Sequence, residues 1–335
     1  MKYFNINRNV PVPFNLLRKM AKVNPIIINY HVVSDKRLPH VINLYNYRNI
    51  DSFTDDIKFL LKHYNPINLF EFMSSVMQKS IIPKNSFMLT FDDGFKELYD
   101  IVAPILTDLK MSSTIFLTKN FIDNKELGLD NKKSIIIEYL KTFNSAQIKE
   151  QILNILGNKT DVSQKIEDLI LSVKYAEKQK INEISRLLKI NYDRFLNENT
   201  PYLTSKNINE LINAGFTFGG HSIDHPKFSE LALQEQVNQA IKSVDYVCSQ
   251  FNINYRVFAF PYNDFHLTKQ FFNLLSPHID ISFGTNGILK DCIATNFQRI
   301  GVEKFHHSAK KTIKYHYARK VAYSCLKKDV IRRND

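Results

Sequence analysis

The chain has 335 residues, of which 44% are hydrophobic, and a formal net charge of +12. That apolar content supports one large α/β domain or two smaller ones, and the charges are mixed, with no block of like charges long enough to force disorder. The cysteines, Cys248, Cys292 and Cys325, are far apart and form no C-x-x-C pair, so neither a disulfide framework nor a thiolate metal site is expected.

The N-terminal stretch lacks an uninterrupted apolar segment followed by a small-residue cleavage site. No run of 18 apolar residues occurs anywhere. The reading is therefore a cytoplasmic chain with no secretory signal and no spanning helix. In chain order, short apolar runs predict buried strands at 25–30, 86–91, 113–117, 216–219, 256–260, 280–283 and 297–302. Helical periodicity predicts helices at 53–63, 98–109, 204–214 and 233–251, the third capped by Thr204 or Ser205 and stopped by Gly215. Such alternation points to a mostly parallel sheet, open or closed into a barrel. Residues 124–200 interrupt it with helix-period apolar residues and no strand, which reads as a helical insertion. The expected organisation is a barrel over 1–304 carrying that insertion, then a basic tail over 305–335.

From 303 to 335 there are ten Lys/Arg against three Asp/Glu, a net of +7. Within it Ile313, Tyr317 and Val321 recur at helical spacing. This amphipathic helix either packs on the barrel or rests on an anionic membrane leaflet. No nucleic-acid recognition motif accompanies the charge, so no specific nucleic-acid partner is expected.

Two motifs carry chemistry. Thr90-Phe91-Asp92-Asp93-Gly94 closes a predicted strand and opens a helix. In parallel α/β folds that strand edge binds ligands. Adjacent side chains diverge, so one carboxylate can hold a cation while the other handles a proton; alternatively the pair merely caps a helix. His221-Ser222-Ile223-Asp224-His225-Pro226 follows another predicted strand. Two imidazoles four residues apart can face one point if the chain turns helically between them. With one carboxylate they form a set suited to Zn²⁺ or another divalent ion, with positions open for water and substrate.

T-F-D-D-G, then H-S-x-x-H-P, then Phe260-Pro261-Tyr262 resembles the polysaccharide deacetylase family, the NodB-homology or carbohydrate esterase family 4 type. Asn29-Tyr30-His31 resembles the Tyr-His of many members' first strand. The resemblance implies a distorted (β/α)7 barrel of the NodB-homology type. It implies that Asp93, His221 and His225 bind the metal, that Asp92 is the general base, and that Pro261 and Tyr262 contact substrate. Tyr262 would supply a backbone N–H to the oxyanion. The cofactor implied is a divalent ion, Zn²⁺ with Co²⁺ or Ni²⁺ as alternatives.

Two departures stand out. Many members carry an Arg three residues before the proline, to orient the base; Phe258 stands there, and Arg299 in the last predicted strand is the candidate replacement. If so, Arg299 must lie within about 6 Å of Asp92, near hydrogen-bond reach. The family's acid, a His in a late L-x-H motif, has no clean copy; His31, His306 and His307 are the candidates. The expected function is metal-dependent removal of an acetyl group, N-acetyl foremost, from a carbohydrate in surface polysaccharide or glycolipid biosynthesis. A deformylase or other amidase on a sugar precursor, and a non-catalytic carbohydrate-binding relative, are the alternatives.

Overall fold

The computed structural model describes residues 12–142, 145–157, 165–303 and 307–335. The apolar runs become parallel strands β1 (Ile26–Tyr30), β2 (Ser86–Phe91), β3 (Thr114–Leu117), β4 (Thr217–Gly220), β5 (Val257–Ala259), β6 (Ile281–Gly284), β7 (Asn296–Gln298) and β8 (Ile300–Gly301). β1 through β6 are buried on both faces, which is why they read as continuous apolar runs rather than alternating ones. Neighbours pair in the order β1 to β7. β7 continues β6, with Ser282 opposite Asn296, whereas β8 pairs back onto β1, with Ile28 opposite Ile300. β7 and β8 are thus one stave interrupted at Arg299, and seven staves form a distorted, nearly closed (β/α)7 barrel. Because every pairing is parallel, all strand C-termini meet at one rim, where barrel sites are built.

The helices in chain order are α1 (Phe14–Ala21), α2 (Ile50–His63), α3 (Leu69–Val76), α4 (Ala103–Asp108, entered through a π turn at Leu98–Val102), α5 (Leu129–Thr142), α6 (Ala146–Leu156), α7 (Ile166–Ser172), α8 (Lys178–Leu187), α9 (Tyr192–Asn199), α10 (Ser205–Asn213), α11 (Leu233–Phe251), α12 (Lys269–Leu275) and α13 (Ala309–Cys325). Thr204 rather than Ser205 caps α10, in a reciprocal box with Asn207. α1, α3 and α12 have no counterpart in the sequence-based reading. Each is only seven or eight residues, too short for periodicity to announce.

Helices α5 to α9 form the insertion. Ile136, Ile137, Leu140, Ile152, Ile170, Ile181 and Ile184 close a core of their own. A second cluster joins insertion to barrel rim through Val32, Phe95, Phe121, Leu127, Ile135, Leu196 and Tyr202. The insertion therefore lies directly above the strand ends. α13 packs against α1, and its Ile313 and Tyr317 are fully buried in the main core. The Tyr317 hydroxyl shares a 2.9 Å hydrogen bond with Tyr64. The expected boundary at 304–305 lies outside the described residues. No described helix is long and apolar enough to cross a membrane.

Candidate metal and carboxylate site

The Asp92-Asp93-Gly94 turn follows β2 at the rim. Asp93 has φ 72° and Gly94 φ 76°, two successive left-handed residues. A Cβ at position 94 would also stand 2.7 Å from a Leu117 methyl and would have to displace it, so glycine suits the turn. The turn sends the two carboxylates to different partners, as side chains of adjacent residues must.

Asp92 meets Arg299. The guanidinium pairs bidentately, Nη1 to Oδ1 at 2.7 Å and Nη2 to Oδ2 at 2.8 Å. Arg299 thus satisfies the distance set for a base-orienting arginine. Its side chain reaches inward at the break between β7 and β8, is fully buried, and also donates to Asn29 Oδ1 at 2.9 Å. Asn29 Nδ2 in turn donates to Asp92 Oδ2 at 2.9 Å. Burial by itself would raise the Asp92 carboxyl; the Arg299 charge outweighs it and holds the group below the usual carboxylate range.

Asp93 meets the histidines. Its Oδ1 lies 3.4 Å from His221 Nε2 and 3.2 Å from His225 Nε2. One ligand atom from each of the three residues falls within a 4.8 Å cluster. The histidines are not brought together by a helical turn, as the four-residue spacing suggests. The segment is a loop bent by left-handed Ser222 (φ 70°) and His225 (φ 63°), and the His225 N–H donates to Ser222 Oγ at 3.0 Å.

These residues fit a divalent cation. The His221 Nδ1 is 2.8 Å from the Ala259 carbonyl, which accepts its proton and leaves a lone pair on Nε2 facing Asp93. Asp93 Oδ1 is buried without an aligned hydrogen bond among the described residues. A buried carboxylate oxygen confronted by an imidazole lone pair is repulsive unless a cation stands between them. The set of one carboxylate and two imidazoles is that of open divalent sites.

Further groups on the rim went unassigned in the sequence. The Glu303 carboxylate, just past β8, lies 2.5 Å from His31 Nδ1, just past β1. It also accepts from the His31 N–H at 3.1 Å. Burial pulls the His31 imidazole down, but Glu303 overrides it and lifts the group to about 9. Of the other acid candidates, His306 lies outside the described residues. His307 offers its backbone carbonyl to Arg48. Pro261 and Tyr262 follow β5 at the same rim, Tyr262 with φ 57° and its ring centroid 4.9 Å from that of His225. The insertion reaches down to this loop: Asp130 on α5 accepts from the Tyr262 hydroxyl at 2.5 Å, and Tyr175 donates to Asp224 between the two histidines.

A nearly closed parallel barrel with paired carboxylates and two histidines at its C-terminal rim defines a class, the hydrolytic carbohydrate deacetylases. The sequence profile described as polysaccharide deacetylase matches residues 79–272, and the chain belongs to that family. No curated protein matches the sequence. Among solved structures, the chain is similar to a deacetylase of Streptococcus pyogenes, PplD, in complex with acetate (16% identity, 86% of this chain and 96% of that one, TM-score 0.54). It is also similar to IcaB from Ammonifex degensii (12% identity, 88% and 96%, TM-score 0.55). A de-N-acetylase from Aggregatibacter actinomycetemcomitans gives 12% identity, 87% and 99% coverage, and a TM-score of 0.52. At these identities the likeness establishes the shared fold.

Proposed function

We propose that this protein is a metal-dependent hydrolase that removes an N-acetyl group from a sugar of a surface polysaccharide or glycolipid. The observation that carries the reading is the meeting, at one rim, of a three-ligand divalent site and a second carboxylate clamped by Arg299. A binding protein needs no oriented base beside a metal site.

Asp93, His221 and His225 hold the ion. When bound, a divalent ion polarises the acetyl carbonyl and lowers the pKa of a coordinated water. Asp92 accepts the proton of the attacking water as the new C–O bond forms. Its Arg299 partner makes it a weaker base than a free carboxylate but fixes its orientation. The Tyr262 backbone N–H faces the oxygen where negative charge develops. His31, protonated and tethered by Glu303, delivers its proton to the sugar nitrogen as the C–N bond breaks. Acetate and the free amine leave. The exposed Lys310 and Lys311 of α13 offer charge to an anionic membrane surface, while the apolar face of that helix is buried in the core.

The direct test is a mass-spectrometric screen for acetyl loss from a panel of N-acetylated glycans, with Zn²⁺, Co²⁺ or Ni²⁺ added. Turnover should require added metal after chelation. Identical traces from wild type and an Asp92→Asn control on every glycan would reject the enzyme reading.

The acid assignment makes a separate prediction. Activity should fall as pH rises through about 9, where His31 loses its proton. In Glu303→Gln the charge that lifts His31 is gone, so this alkaline limb should move down toward the ordinary histidine value of about 6.5. An unmoved limb in the pH–rate profile would take the role away from His31.

A further inference from the structure

The rim holds a second orphaned polar atom besides that of Asp93. Tyr45 lies in the irregular segment between β1 and α2. Its hydroxyl is shielded from solvent yet has no hydrogen-bond partner among the described residues. A buried hydroxyl left unpaired is costly, and in a site it marks the place of a ligand atom. The ring lies against His31, centroids 4.8 Å apart and planes at 36°. Its flank packs on the apolar cluster of Val32, Phe95, Phe121 and Tyr202, so the side chain is held rather than free to swing out. Burial, then the charges of Asp93 and Glu303, keeps the phenol well above the usual tyrosine range. The group is therefore a neutral donor at any working pH.

The barrel order decides which part of a substrate this donor meets. Tyr45 packs on the residue that follows β1, whereas Tyr262 follows β5. Two staves separate them one way round and three the other, so they face each other across the metal ligands. The carbonyl oxygen belongs on the Tyr262 side and the leaving nitrogen on the His31 side. A donor stacked on His31 thus meets the sugar itself, beside the nitrogen, and not the acetyl group.

We propose that the Tyr45 hydroxyl is a specificity group that donates a hydrogen bond to a sugar oxygen on a carbon flanking the acetamido carbon. The inference rests on the deacetylase reading and narrows it. The substrate is a sugar whose acetamido group has a neighbouring hydroxyl or glycosidic oxygen, and a simple acetamide lacks the group Tyr45 recognises.

The test compares an N-acetylhexosamine oligosaccharide with its deoxy analogues at the two flanking positions, in wild type and Tyr45→Phe, which keeps the ring. Wild type should lose about tenfold in kcat/KM on one analogue, the value of one hydrogen bond. Tyr45→Phe should lose about tenfold on the parent sugar and no longer distinguish it from that analogue. Calorimetric binding of the parent sugar in an Asp92→Asn background, with and without Tyr45→Phe, reads the same contact without turnover. An equal loss on the parent and both analogues would mean that Tyr45 acts through His31, and no loss would mean that it touches no substrate; either result overturns the proposal. If wild type turns over no glycan but the Asp92→Asn protein binds one in a Tyr45-dependent way, the deacetylase reading fails while the Tyr45 contact to the sugar stands. Neither turnover nor binding overturns both.

Discussion

Asp92→Asn should lower kcat by about 10²–10⁴-fold, the usual contribution of a positioned general base. Asparagine matches the carboxylate in shape and still accepts from Arg299, but it cannot take a proton from water. Asp93, His221 and His225 converge on one another without Asp92, so the variant should bind metal with unchanged stoichiometry. Metal content by atomic emission beside turnover on an N-acetylated glycan separates the two roles. Loss of metal together with activity would place Asp92 among the ligands instead. Only modest loss would mean that the proton leaves by another path.

Arg299→Met should cost about 3–5 kcal/mol of stability, because it leaves the Asp92 carboxylate buried without its partner. Both side chains are almost wholly enclosed, and Arg299 also ties Asn29 and the Gly284 carbonyl into the barrel wall. Urea unfolding should show a lower midpoint with an unchanged slope. The pH dependence follows from the sign of the Asp92 shift. Its folded-state pKa lies below the unfolded value of about 3.9, so the ion pair's stability is fully present above that value and is lost as pH falls through the folded one. Wild type and Arg299→Met should therefore converge in stability as the solution is acidified below about pH 4. A constant gap down to the acid limit would show that Arg299 stabilises by packing alone, for example over the Phe116 ring 5.2 Å away.

Local patterns carried much of this reading. β1 to β6 announced themselves because both faces of each are buried, and α11 was bounded at the same residues that the structure gives it, Leu233–Phe251. The two polar motifs were visible because each is contiguous and follows such a strand. Other parts were silent. α3 was invisible although Asn68 and Glu71 form a capping box, since eight residues hold barely two turns of periodicity. The pairing of His31 with Glu303 spans 272 residues and arises only because the last stave returns to β1.

By itself the sequence determined the order of strands and helices, the family motifs, and the chemistry available at Asp92, Asp93, His221 and His225. Strand and motif signals are local, written in neighbouring residues, and survive without knowledge of the fold. Closure of the barrel decided everything that depends on distance. It brought Arg299 onto Asp92 and Glu303 onto His31, and it left the Tyr45 ring against His31 with its hydroxyl unpartnered among the described residues. The physical reason is that a parallel barrel joins its first and last strands side by side. Groups at opposite ends of the chain then share one charged rim.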